Sequence, residues 1–274
     1  KATQDLDAAR GLYQQGDALF QQAKEAPKAT RGKLFKRSAK FFERAASEAP
    51  GSGLEQDALF MQGESLFFAN ELNDSRDALE NLQKRFPRNR HSDRAAARLF
   101  SISKYWIDIA KAGEDRWYTL NFFDDKRPMR DAVGHAVRVL DQIRYDDPTG
   151  RLADDATMAA AAEHIRNKQY DKADEFLTDL RETFTDSDHQ FLAHLLGIRC
   201  KLEVYRGPVY SEKYLDEAST LLPECPSSGS RTRCLGTHRQ LTRQAVTTLG
   251  VHDQGLSVGT ANVAIEAARV QATG

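Results

Sequence analysis

Apolar residues recur at intervals of three and four along most of this chain, which predicts helices; alternating Val/Ile/Thr segments hardly occur before residue 245. The clearest stretch is 57–87, DALFMQGESLFFANELNDSRDALENLQKRFP. Leu59, Gly63 and Leu66 form one row, and Ser75, Leu79 and Leu82 a second. Gly63 lets two helices approach closely, and Ser75 is the small residue facing it. Leu59, Leu66, Leu79 and Leu82 fill the seam between them. Pro87 stops the second helix, because it lacks an N–H and clashes with the preceding turn. One such hairpin cannot bury its own apolar face, so the pattern predicts further copies stacked beside it.

The slots Leu59, Gly63, Leu66, Ser75, Leu79 and Pro87 resemble the tetratricopeptide repeat. Degraded copies follow. Leu12, Gly16 and Leu19 repeat the first-helix row, and Ser38, Phe42, Ala45 and Pro50 the second. The gap between those halves is about ten residues too long and contains AKEAPKATRGK. A third second helix reads Ala136, Leu140, Ile143, Pro148; its partner is the apolar stretch from Ala95 to Ile109, with Ala112 to Arg130 looping out between them. A fourth copy holds Tyr170, Ala173, Leu177 and Leu180, with Ala161 in the Gly slot and Thr185 in place of Pro. A fifth holds Gly197, Ala218 and Leu222, with GPVYSEKY inserted at its turn.

The expected fold is therefore all-α: a tetratricopeptide-like α-solenoid of about five helix-turn-helix repeats with long inter-helix insertions. The solenoid spans 1–224, with units at about 6–50, 54–88, 92–148, 152–185 and 188–224. Residues 225–274 form an atypical tail that holds only Asp253 and Glu266 as acids. Two readings of it stay open: capping helices with a flexible end, or a departure from the ancestral frame.

Composition narrows function more than fold. The chain has 274 residues, 29% charged and 40% hydrophobic, with a net charge of −1. No global basic field advertises nucleic acid, and no apolar run reaches membrane-spanning length. The basic stretches Lys33–Lys40 and Lys84–Arg98 have acids nearby and read as solvated helix faces. The opening KATQDLDAAR has neither an apolar signal core nor a lipid-accepting Cys. That suits a cytosolic protein, or an exported one whose leader and anchor cysteine lie upstream. Cys200 reads as a core thiol, while Cys225 and Cys234 either close a small loop in an oxidising compartment or remain thiols.

Catalytic and cofactor signatures are missing. No Walker loop, HExxH, CxxC, EF-hand loop or G-x-S-x-G occurs, so no cofactor, metal or catalytic residue is assigned and an enzyme is not expected. His189 and His194 lie five apart, the wrong interval for one helix face, and read as capping or packing residues. The pairs Asp124-Asp125, Asp146-Asp147 and Asp154-Asp155 read as caps at turns or helix starts.

A stacked array of this kind binds through the first helices of its hairpins, which line the concave side. The register puts Arg10, Tyr13, Asp17, Asp57, Phe60, Glu64 and Phe68 there. Tyr13, Phe60 and Phe68 would give aromatic pockets, or pack against the next hairpin; Arg10 would meet a carboxylate or chain terminus. The insertion Glu114–Arg130, with Trp117, Tyr118, Phe122 and Phe123, is a second candidate contact, or docks on its own solenoid.

The segments DDPTGRLADDA and YRGPVYSEKYLDEA, together with FERAASEAP and LENLQKRFP, resemble BamD-like outer-membrane assembly lipoproteins, in the divergent form of planctomycete-type bacteria. The resemblance covers roughly residues 8–222. It implies a periplasmic adaptor held to the outer membrane by an N-terminal lipid. Its implied partners are a BamA-like barrel-inserting protein and unfolded outer-membrane protein clients, some ending in an aromatic residue with a free carboxylate. A cytosolic scaffold for another complex is the alternative. The helical solenoid of a cell-wall lytic enzyme is a third, for which 225–274 is too short and too poor in acids.

Overall fold

The computed structural model describes residues 5–112, 126–128, 131–204 and 213–221. Among them the chain is all-helical, built as the paired helices of an α-solenoid. The helices are α1 (Leu6–Glu25), α2 (Lys28–Glu48), α3 (Gly53–Phe68), α4 (Leu72–Arg85), α5 (Ser92–Lys111), α6 (Ala132–Asp146), α7 (Ala153–Arg166), α8 (Tyr170–Thr183), α9 (Gln190–Val204) and α10 (Lys213–Leu221). They fall into two compact units, Lys1–Ala156 and Thr157–Gly274.

In the first unit α1 packs on α2, α3 on α4 and α5 on α6, and each hairpin meets the next through α2 with α3 and α4 with α5. The extra residues of the first repeat do not loop out. They lengthen both helices, to 20 and 21 residues against 16 and 14 in the second hairpin, leaving only Ala26 and Pro27 between them. Pro27 suits that position because its ring fixes φ for the first helical turn and no N–H is lost. Ser52 starts α3: its Oγ accepts the Glu55 N–H at 3.1 Å, while Glu55 reaches back to the Gly51 N–H at 2.5 Å. Asn70 closes α3 in the left-handed region, with φ 63°, letting the Asn70 and Glu71 N–H groups bond back to Phe67 and Leu66 at 3.0 Å. Lys168 repeats that geometry after α7, with φ 58° and N–H bonds from Lys168 and Gln169 to Ile165 and His164.

The hairpins close on a shared contact. Ser75 Oγ donates to the Gly63 carbonyl at 2.8 Å, and Ser38 Oγ donates to the Gly16 carbonyl at 2.8 Å. A Cβ on Gly63 would stand 2.6 Å from Leu79, and one on Gly16 would stand 3.0 Å from the Phe42 ring. In the third hairpin Ser103 takes the Gly position and bonds the Leu99 carbonyl at 3.0 Å; Ala136, Leu140 and Ile143 are buried opposite. Trp106, fully buried, donates to the Lys126 carbonyl at 2.7 Å, and Asn73 donates to the Arg127 carbonyl at 2.7 Å. Two residues of the expected loop, Lys126 and Arg127, are thus tied to α5 and to α4 respectively.

In the second unit Met158, Ala161, Ala173, Leu177, Leu180, Ala193 and Cys200 form one core. The slot at Gly197 is filled by a charge: Arg181 lies against it, donating to the Ala193 carbonyl at 3.1 Å and to Thr178 Oγ1 at 2.7 Å. Lys201 bridges Asp174 and Glu217, both at 2.7 Å, linking α8, α9 and α10. Burial pushes the Cys200 thiol up to about 12, so it stays protonated in the core. His194 packs within α9, and His189 immediately precedes that helix.

One expectation about the acids needs correcting. Asp146 and Asp147 lie at the C-terminal end of α6, where a carboxylate opposes the helix dipole. Asp146 bonds Gln142 at 2.5 Å and burial raises its pKa; Asp147 accepts from Thr149 in the following turn. Asp154 and Asp155 do occupy the first turn of α7, whereas Asp124 and Asp125 lie outside the described residues.

Two outcomes are expected. Gly63→Ala gains about 1 kcal/mol of helix propensity but forces a methyl into fully buried Leu79, an overpacking cost of about 1–3 kcal/mol, so urea unfolding should show a net loss. The second concerns His135, whose Nδ1 lies 3.2 Å from Arg76. Burial, then Arg76 and Arg138, hold its pKa below the usual value against the opposing Asp131 and Asp77. The unfolded chain therefore binds the proton more readily. The stability that neutral His135 contributes is present above about pH 6.5 and is lost as pH falls toward its folded pKa. His135→Gln should flatten the fall in urea midpoint between about pH 7.5 and 5.5.

Candidate protein-binding site

The site grows from α3, whose acids are met by basic side chains of α4, of α5 and of the turn between them. Asp57 accepts from Arg90 Nε and from His91 Nε2, each at 2.7 Å. Glu64 takes a forked pair from Arg98, with Nη2 to Oε2 at 3.0 Å, and Arg85 pairs with Glu55. The basic run Lys84–Arg98 is thus not simply a solvated face. Three of its arginines tie α3 to the end of α4 and to the start of α5.

These pairs set the aromatic side chains. Phe60 is 1% exposed, stacked on His91 at 4.4 Å with the rings 8° apart, and the Arg94 guanidinium lies 4.6 Å from its centroid. Arg98 sits 4.7 Å from the Phe67 ring and 5.1 Å from that of Phe68. Phe68 is 41% exposed, stacked on Phe35 at 5.4 Å and edge-on to Phe20 at 6.0 Å. Phe20, Phe35 and Phe68, with Met61, floor a pocket of about 470 Å³. Lys24, Arg31, Arg94 and Glu64 stand around it. Glu64 is matched by Arg98, and Arg31 also caps α1 through the Ala26 carbonyl at 3.2 Å. Among the described residues no carboxylate pairs with Lys24, Arg31 or Arg94, so the rim has a cationic surplus over an aromatic floor. Such a cavity suits an apolar or aromatic group carrying an anion.

The residues expected from sequence fall into five groups. Phe68 lines the pocket and Glu64 its edge. Tyr13, Asp17 and Asp57 form a neighbouring group: Tyr13 meets Phe42 edge-on at 5.1 Å, and burial, with Asp57 and Asp17 beside it, raises its hydroxyl pKa. Asp17 accepts from Gln21 at 3.3 Å. Phe60 is a packing residue rather than a pocket wall, because α5 covers it. Arg10 stands apart, exposed and paired with Asp7 of its own helix at 3.4 Å. Trp117, Tyr118, Phe122 and Phe123 lie outside the described residues. Sequence reasoning missed Phe20, Lys24, Arg31, Phe35 and Arg94. Lys24 and Arg31 belong to the very segment AKEAPKATRGK that looked like an insertion, and Arg94 and Arg98, four apart, share one face of α5.

Residues 57–89 match the tetratricopeptide repeat family model. The hairpin of α3 and α4 is a tetratricopeptide repeat. Repeats of this family are protein-interaction modules and typically non-catalytic, so the pocket beside this one belongs to a protein-binding scaffold. No curated protein matches the chain. Among the described residues no group of His, Cys, Asp or Glu is placed to hold a metal ion, and no helix is long and apolar enough to cross a membrane.

Proposed function

We propose that this protein is a non-enzymatic adaptor of the BamD type, working at the periplasmic face of the outer membrane. In this reading a lipid on a cysteine upstream of Lys1 anchors it, a BamA-like barrel-inserting protein is its partner, and unfolded outer-membrane proteins are its clients. The observation that carries the reading is the pocket of Phe20, Phe35 and Phe68 under Lys24, Arg31 and Arg94. It matches the chemistry of a client chain that ends in an aromatic residue and a free carboxylate. The aromatic side chain would rest on the phenylalanines, and the carboxylate would take charge-assisted hydrogen bonds from the guanidinium groups. The resemblance through DDPTGRLADDA and YRGPVYSEKYLDEA supplies the cellular setting.

The same pocket would serve a cytosolic scaffold for a carboxylate-terminated partner, and cell fractionation separates the two. Tagged full-length protein recovered from solubilised cell envelope should bring down a polypeptide-transport barrel protein or outer-membrane proteins. Phe68→Ala and Arg94→Gln, both at the pocket, should reduce the client yield by about tenfold, with the helix content of each variant checked against the parent chain. Recovery of cytosolic proteins alone, without envelope enrichment, would leave a scaffold and remove the outer-membrane assignment.

A further inference from the structure

Helix α3 has a second cavity on its other side. Met61, Glu64 and Phe68 face the aromatic pocket, whereas Leu59, Gln62 and Leu66 face a groove of about 700 Å³ between α2 and α4. The two rows lie about 180° apart at 3.6 residues per turn. The groove exists because its walls are lined at depth by small residues: Ala39 and Ala46 on α2, Ala78 on α4.

Its electrostatics are uneven. Lys36 crosses to Glu71 at one end, and Arg85 is drawn to Glu55 at the other. Between these closures stand Lys40 on α2 and the acids Glu43, Asp74 and Asp77. Asp77 is shared with Arg76 at 2.5 Å; among the described residues no cation pairs with Glu43 or Asp74. The open middle of the groove therefore carries an acidic surplus above an apolar floor.

We propose that this groove docks an amphipathic helix of a partner protein, with its apolar stripe over the partly exposed Leu66 and the small residues beside it and a cationic flank over Glu43, Asp74 and Asp77. A helix fits because both walls are themselves helix faces, with ridges at spacings of three and four that a third helix can enter. The α2 wall runs from Lys36 to Ser47, about 16 Å at 1.5 Å per residue, which seats about three turns. An added β-strand has no sheet edge to extend among the described residues. The charge surplus decides the flank, since an acidic helix would place like charges against Asp74 and Glu43.

The inference does not depend on the aromatic pocket, and the test keeps the two apart. The probe is an acetylated, amidated helical peptide of about 15 residues, without aromatic residues, with Ala and Leu at helical spacing and Lys on the flanks. Two controls replace its lysines by glutamates, or its Ala and Leu by Ser. Added to the full chain at low salt, the Lys-flanked peptide should shift the backbone amides of 59–66 and 74–81. It should bind at least about tenfold tighter than either control. Asp74→Lys with Asp77→Lys should reverse the preference toward the Glu-flanked peptide, while Phe68→Ala leaves it unchanged. Equal binding of all three peptides, shifts centred elsewhere, no saturable binding by a chain that remains helical, or self-association of the chain through the same amides would each overturn the proposal.

Discussion

Close approach of two helices at a glycine, locked by a serine hydroxyl, is the constraint on which the first two hairpins rest. A helical carbonyl has two lone pairs. One accepts the N–H four residues on, and the second is free for Ser75 at Gly63 and for Ser38 at Gly16. Neither bond forms unless the backbones are near enough, and nearness requires the missing Cβ. Leu79 and Phe42 then fill the space that a side chain would have taken. The two clasps span 12 and 22 residues of chain, yet they arrive at the same 2.8 Å contact. Helix length is therefore free to vary around a fixed crossing point.

That freedom is what makes the pocket. The longer α1 and α2 carry Lys24 and Arg31 at their joined ends, with Phe20 and Phe35 just inside. They bring these groups to the end of α3, where Phe68 is half-exposed and the Arg98–Glu64 pair fixes its neighbourhood. A pair with Glu64 almost buried and Arg98 near the surface contributes direction more than stability. The same helix that seals the seam toward α4 with Leu59 thus presents one chemistry on one side and another on the opposite side.

The second hairpin was fully legible in the sequence because every slot holds the residue its geometry demands: Gly63 for approach, Ser75 for the bond, Pro87 for the stop. Tyr170, Ala173, Leu177 and Leu180 placed α8 for the same reason. The first hairpin was legible only in its register. Helix and loop compete over AKEAPKATRGK, and packing of Phe35 and Ala23 settles the contest in a way that local composition does not reveal. Aromatics on a predicted groove face were ambiguous between binding and packing. Phe60 became packing because His91 and Arg94 of the next hairpin cover it, and Phe68, one turn beyond Glu64, remains open. Gly197 kept its slot but not its partner, since Arg181 rather than an apolar residue fills it.

The central claim is that an aromatic floor and a cationic rim read one ligand together. Calorimetric titration of the full chain with a short peptide ending in Phe, as free acid and as amide, tests this most directly. The account predicts that the acid binds at least about tenfold tighter than the amide, and that Arg94→Gln removes most of that difference while Phe68→Ala weakens both. Equal affinity for acid and amide, or no effect of Arg94→Gln on a folded chain, would contradict it.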